Sequence, residues 1–299
     1  MKEVIVKIVY AFSIEGTGGN PAGVVLNANS LTNEEKQVIA AQVGLSETAF
    51  ISSSDKADFK LDFFTPTRQI AHCGHATIAA FTYLRQNGFV NKDKSSKETI
   101  DGIRDIYFRN GFAYMEQTPP GYSNVDLELP EILQSLNIQA NDLLKKKSPA
   151  IVNTGNSFLI VPLKNASLLQ NLLPNQESIK KYSEKHGLVG YYAFAKATEE
   201  GYVATARMFA PFYGIDEESA TGMAAGPLAS YLFDNNFTKE TTLIIKQGEY
   251  MTTPSPSKIY INLVLERNKI VKLYVGGDAF VCNEKVVRLE PTDSSVDLR

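Results

Sequence analysis

Apolar positions along this chain recur with two periods, and the switching between them predicts many short strands interrupted by a few helices. Residues 4–12 and 59–64 alternate apolar and polar side chains as half-buried strands do. Residues 22–26 form a short apolar run behind a glycine-rich turn at 13–21. A helix is expected from Ser30, which can cap it, to Val43, with Asn33, Glu34 and Glu35 at its positive end and Gly44 as its stop. Extended structure resumes at 45–51. Residues 74–84 read as a helix of small and apolar side chains ending near Asn87-Gly88, 91–97 as a charged loop, and 98–107 and 111–117 as strands about Asn110-Gly111.

Pro119-Pro120-Gly121 is the expected boundary between halves. Beyond it, 130–136, 140–146, 165–172 and 176–186 read as helices, and 149–152, 158–162, 190–195, 202–209, 242–247, 258–265 and 271–276 as strands. Pro227 is expected to kink a helix that begins at Thr221. Residues 280–289 are expected to return to the first half, and 291–299 to form an irregular end. The implied domains are 1–119 plus 283–299, and 120–282.

The halves repeat one another. Phe64-Thr65-Pro66 matches Phe209-Ala210-Pro211, and Cys73-Gly74-His75-Ala76 matches Thr221-Gly222-Met223-Ala224. The helix match keeps a constant offset of 148 residues through Phe89 and Phe237. A looser echo links the turn at Asn20 to the turn at Asn156, each followed by an apolar strand. Each helix start exposes first-turn amides that suit an anion, and His75 adds a titratable ring to the first of them. A functional cleft between two such entrances is therefore expected.

Composition narrows the possible roles. With 299 residues and 43% hydrophobic side chains the chain can bury one large core or two ordinary ones. Lys+Arg 30 against Asp+Glu 33 leaves a net charge of -3, so no basic field recommends nucleic acid or an anionic membrane as partner. No long apolar run supports a membrane span, two cysteines do not make a disulfide scaffold, and the expectation is a cytoplasmic protein. Three histidines, His72, His75 and His186, lack zinc-site spacing, and the 13–21 loop lacks both nucleotide-loop signatures, so neither metal nor cofactor is expected.

Individual residues then carry candidate chemistry. Glu47 lies at the mouth of a strand among apolar neighbours, where partial burial would disfavour its charged form and suit a general base. Asp216, Glu217 and Glu218 precede the second helix, where mutual repulsion opposes the pull of the helix terminus. Arg207 reads either as a reach toward a ligand carboxylate or as an ion-pair residue. His186, before Gly187, reads as a helix C-terminal residue, and Cys73 as a small packing residue.

Taken together, Gly19-Asn20-Pro21-Ala22-Gly23, Ser46-Glu47-Thr48-Ala49-Phe50, Cys73-Gly74-His75-Ala76-Thr77 and Gly214-Ile215-Asp216-Glu217-Glu218 to Thr221-Gly222 resemble the phenazine-biosynthesis PhzF-like isomerases, relatives of the diaminopimelate epimerases and proline racemases. The resemblance implies an α+β fold of two similar domains. Each would be a bent, barrel-like, mostly antiparallel sheet around a central helix, with the active site between them. It implies cofactor-independent proton transfer on a small carboxylated metabolite, and a homodimer as the family's assembly. Glu47 would move the proton, with His75 and Glu218 holding and polarising substrate, and Asn20, Gly74, Ala76, Gly222 and Met223 would line the binding site. Glu218 replaces the family's aspartate, Ser219 its following proline, Met223 a serine and Gln69 a glutamate. Related racemases use two cysteines, and here Thr221 stands at the second position. The alternative is a metabolite-binding protein that kept the cleft without the chemistry.

Overall fold

The computed structural model describes residues 2–290; the irregular end expected at 291–299 lies outside the described residues. Contact density divides the chain into two units, of which unit 2 comprises Phe12–Asn20 and Tyr107–Asp278, while unit 1 contains Pro21–Ile106 and the remaining described residues. The division falls between Ile106 and Tyr107, upstream of the Pro119-Pro120-Gly121 turn.

Unit 1 is built from β1 (Lys2–Ala11), β2 (Asn20–Val25), α1 (Asn33–Val43), β3 (Thr48–Ser52), β4 (Phe59–Phe64), β5 (Gln69–Ile70), α2 (Gly74–Gln86) and β6 (Lys94–Thr99), followed by the start of β7 (Gly102–Arg109). α1 is capped by Thr32, not Ser30: the Thr32 hydroxyl accepts from the Glu35 N–H and Glu35 returns the bond, a reciprocal box that Ser30 lies too far upstream to make. Gly44 ends α1 in the left-handed conformation. β2 lies parallel to β3, β3 antiparallel to β4, β4 antiparallel to β5 and parallel to β6. The charged stretch expected as a loop is β6. Its inward side chains, Ser95, Lys97 and Thr99, are polar, which conceals the alternation.

Unit 2 continues with β8 (Phe112–Gln117), β9 (Gly121–Asn124), α3 (Leu129–Ser135), β10 (Ala150–Asn153), β11 (Ser157–Pro162), α4 (Ala166–Gln170), α5 (Gln176–His186), β12 (Gly190–Lys196), β13 (Ala204–Ala210), β14 (Ile215–Glu218), α6 (Gly222–Asp234), β15 (Thr242–Gln247), β16 (Ser257–Glu266) and β17 (Lys269–Gly277). The helix expected at 140–146 is a single short turn at Ala140–Asp142. α6 continues through Pro227, although the missing N–H leaves the Met223 carbonyl without its helical donor. β11 lies parallel to β12, β12 antiparallel to β13, and β13 antiparallel to β14 and parallel to β15. Unit 2 therefore repeats the ladder of unit 1 strand for strand.

β18 (Ala279–Leu289) belongs to unit 1, where it runs antiparallel to β1 from Lys2↔Leu289 to Ala11↔Ala279. The sheet pairings are mostly antiparallel, and each unit wraps its sheet around one helix. α2 is buried from Gly74 to Leu84 without a break and packs on β1, β3 and β18. α6 is buried nearly as completely and packs on β10, β11, β16 and β17. A helix with no solvated face needs small side chains and a curved sheet, as the Ala- and Gly-rich sequences of both helices anticipate. No helix among the described residues is long and apolar enough to cross a membrane.

Candidate active site

In unit 1 the expected residues Glu47, Gly74, His75 and Ala76 gather at the start of α2. Glu47 precedes β3, and its carbonyl accepts from the Gly23 N–H at 3.0 Å. A Cβ on Gly23 would meet Thr48 Oγ1 at 2.7 Å, so this approach of β2 to β3 requires glycine. Glu47 is 8% exposed and His75 4%. The Glu47 Oε2 lies 3.3 Å from the His75 Nε2, within ion-pair distance but without hydrogen-bond geometry, and Oε2 is otherwise buried without a hydrogen bond. Gly74 and Ala76 bring little beyond their backbone to this turn, so any binding role of theirs falls on the N–H groups of α2.

The opposite edge of the His75 ring faces Cys73, with Nδ1 at 3.6 Å from Sγ. Burial pushes the Cys73 thiol up, and the nearby Glu47 carboxylate adds to the shift, so Cys73 is a packed, protonated side chain. Glu47, Cys73 and His75 each offer a ligand atom within 4.8 Å of the others. The Cys73 thiol, pushed up by burial, would have to lose its proton before it could bind a cation beside Glu47 and His75. The arrangement suits proton transfer better than chelation.

In unit 2 the expected residues Asn20, Glu218, Gly222 and Met223 gather at the start of α6. Glu218 ends β14, and both of its oxygens are held. Asn20 Nδ2 donates to Oε1 at 2.9 Å and to the Ala220 carbonyl at 3.0 Å, while the Thr221 hydroxyl donates to Oε2. A Cβ on Gly222 would meet Phe12 Cζ at 2.8 Å. Met223 accepts from Asn156 Nδ2 at its sulfur, 3.4 Å away. The glycine-rich turn serves as a backbone brace: the Gly19 N–H donates to Pro256 O, and the Gly19 carbonyl accepts from Ser219 and Ser255.

The acidic run before α6 is a strand, and its members part company. Asp216 is exposed, and Glu217 forms a bidentate pair with Arg207 at 2.7 and 2.8 Å. Arg207 is further occupied by the carbonyls of Leu169, Gln170 and Leu172, so its ion-pair reading holds over a ligand contact. His186 sits at the end of α5 with its ring against Tyr182 and Nε2 3.3 Å from Glu128.

Other residues at the entrances were not singled out from the sequence. Asn156 carried a signal, since Gly155-Asn156 echoes Gly19-Asn20. Gln247 and Lys97 carried none, because their partners lie far away in the chain. Gln247 is fully buried and bonds Tyr192, Glu218 and Thr221. Lys97 is fully buried beneath α2 and bonds Thr77 and His72.

Comparison with known proteins bears on the fold and the family. An uncharacterized isomerase of Clostridium acetobutylicum is 35% identical over 287 residues, covering 91% of this chain and 93% of the relative. The crystal structure of the Bacillus anthracis phenazine biosynthesis protein, PhzF family, is similar with a TM-score of 0.86 and 30% identity, covering 97% of this chain and all of the other. A hydroxyproline epimerase from Agrobacterium vitis, crystallised with trans-4-hydroxy-L-proline, shares the fold at a TM-score of 0.58 and 12% identity, over 97% of this chain and 94% of its own. A family model described as phenazine biosynthesis-like protein matches residues 9–285, and the chain belongs to that family.

Proposed function

We propose that this protein is an isomerase that moves a proton between carbons of a small carboxylated metabolite without a cofactor. The observation that carries the reading is the buried Glu47 carboxylate, 3.3 Å from His75 at an uncapped helix entrance. Glu47 takes a proton from a substrate carbon: the C–H bond breaks, the carboxylic O–H forms, and the electron pair spreads into the neighbouring unsaturated or carbonyl group. Delivery of a proton from the Glu47 carboxyl, which exchanges with solvent before it is returned, to another carbon completes the isomerisation and restores the carboxylate. First-turn amides of a helix entrance, with Gly74 and Ala76 at α2 or Gly222 and Met223 at α6, bind the substrate carboxylate. His75, Glu218 and Asn20 orient the reacting part. A homodimer in the cytoplasm completes the reading as a family-derived expectation.

The test is incubation with a panel of amino, hydroxy and aromatic carboxylic acids in deuterated water, reading label carbon by carbon. Deuterium in the product of the wild type, lost in Glu47→Gln, is the expected result. Turnover with no label at any carbon, and no transfer of label from a substrate deuterated at the reacting carbon, overturns it.

A second reading, a metabolite-binding protein without turnover, is favoured by one observation: Glu218 already spends both oxygens on Asn20 and Thr221. That reading expects tight binding of a panel member, unaltered in Glu47→Gln, with no product from any of them.

A further inference from the structure

Each unit holds a buried polar side chain, outside the proton path, that reaches the helix entrance from an equivalent strand. β4 leads through β5 into α2, and the strand parallel to β4 is β6, which carries Lys97. β13 leads through β14 into α6, and the strand parallel to β13 is β15, which carries Gln247. Both side chains are 0% exposed.

Their hydrogen bonds have one logic. The Thr77 hydroxyl donates to the Cys73 carbonyl at 2.6 Å, which uses its only hydrogen; the Lys97 Nζ, 2.6 Å from the same oxygen, is therefore the donor to Thr77. The Thr221 hydroxyl spends its hydrogen on the Glu218 carboxylate, and the Gln247 Nε2 at 3.1 Å is the donor to Thr221. Gln247 is itself locked, since its Nε2 also donates to the Glu218 carbonyl at 2.7 Å while its Oε1 takes the Tyr192 hydroxyl at 2.8 Å and the Thr221 N–H at 3.1 Å. The two threonines are not at equivalent helical positions: Thr77 lies inside the first turn of α2, and Thr221 is the N-cap of α6.

We propose that Lys97 and Gln247 are the positioning residues of the two entrances, each donating to a threonine hydroxyl and so committing that hydroxyl's hydrogen to the entrance. The assignment rests on the reading that both entrances hold substrate, but its test is made on the free protein.

The pair is chemically unequal. Two acceptors face the Lys97 Nζ, Thr77 Oγ1 at 2.6 Å and His72 Nδ1 at 3.1 Å, which match the two hydrogens of a neutral amine. No carboxylate lies within ion-pair distance of Lys97 among the described residues. The groups around it are His72 before α2, Thr77 and Cys73 of the α2 entrance, Phe63 of β4 with its ring centre 5.1 Å away, Asp101 after β6 and Arg104 of β7. Burial brings the amine down to about 7; Arg104 acts in the same direction, and Cys73 and Asp101 oppose it. The α2 entrance thus feels a proton that comes and goes near neutrality, whereas Gln247 does not titrate.

The experiment is an NMR titration of isotope-labelled protein from about pH 5.5 to about pH 9. The Lys97 side-chain carbon resonance should titrate near pH 7, the Gly74 amide should share that inflection, and Lys97→Met should remove it. Lys97→Gln serves the same purpose if the methionine variant does not fold. Gln247→Glu, which turns a donor into an acceptor, should move the Glu218 carboxyl resonance and the Gly222 amide while leaving Gly74 in place. A Lys97 resonance that titrates above about pH 9, a Gly74 inflection that survives the loss of Lys97, or a Glu218 resonance indifferent to Gln247→Glu overturns the assignment. None of these readouts depends on turnover, so failure of the isomerase reading would show separately, as an absence of product in the deuterium screen.

Discussion

Replacing Lys97 by methionine should make the protein less sensitive to pH, with a sign and size that follow from burial. An unfolded lysine titrates near 10.5, whereas burial holds Lys97 at about 7 in the fold. Between these values the unfolded chain binds more protons than the folded one, so wild-type stability rises with pH across that window. The penalty for keeping the amine in the core is fully present below about pH 7, on the order of 5 kcal/mol, and is relieved toward pH 10.5. From pH 7 to pH 9 the wild type should gain about 2 kcal/mol relative to Lys97→Met. At neutral pH the substitution removes most of the penalty but leaves His72 Nδ1 without its donor, a cost of about 1–3 kcal/mol that offsets part of the gain. Cys73, whose thiol is pushed up by burial, loses stability at high pH in both proteins, and the difference cancels it. Urea unfolding of both proteins in matched buffers at several pH values measures the quantity. Curves that stay parallel within about 0.5 kcal/mol would refute the claim that Lys97 is folded in as a neutral amine.

Three further outcomes are expected. His72 is lowered from 6.5 to about 2 by burial first and by Lys97 second, so its contribution is intact above pH 6.5 and is lost as pH falls toward 2; unfolding at pH 4.5 should show about 3 kcal/mol of loss, absent in His72→Phe. Glu47→Gln should reduce solvent exchange into product by on the order of 100- to 10,000-fold while leaving the unfolding midpoint near that of the wild type, as isotope-resolved assays and urea curves would report. Gly222→Ala should cost about 1–3 kcal/mol in thermal or urea unfolding, because the added Cβ meets Phe12 Cζ at 2.8 Å.

What could be read from the chain, and what could not, divides along the reach of the interactions. The two buried helices were legible because small side chains at both entrances repeat at one offset, and a helix without a polar face has to lie inside its sheet. Glu47 and His75 were legible as residue types in a motif, although their 3.3 Å approach was not, since it depends on the parallel pairing of β2 with β3 through Gly23. β6 was misread because its inward face is polar, and a strand that turns Ser95, Lys97 and Thr99 to the interior has the local pattern of a solvated loop. Burial of Lys97 becomes affordable only when Thr77 and His72, from a segment well upstream, arrive as acceptors. Gln247 is the same case on the other side: in sequence it is one more polar residue ending a strand, and in the fold four hydrogen bonds tie it to Tyr192, Thr221 and Glu218. The acidic run shows the converse. Three adjacent carboxylates suggested mutual repulsion, but a strand sends neighbours to opposite faces, so Glu217 meets Arg207 while Glu218 meets Asn20 and Thr221. Charge repulsion inferred from adjacency thus gives way to pairing decided by the pleat, and the Glu218 carboxylate arrives at the α6 entrance already oriented.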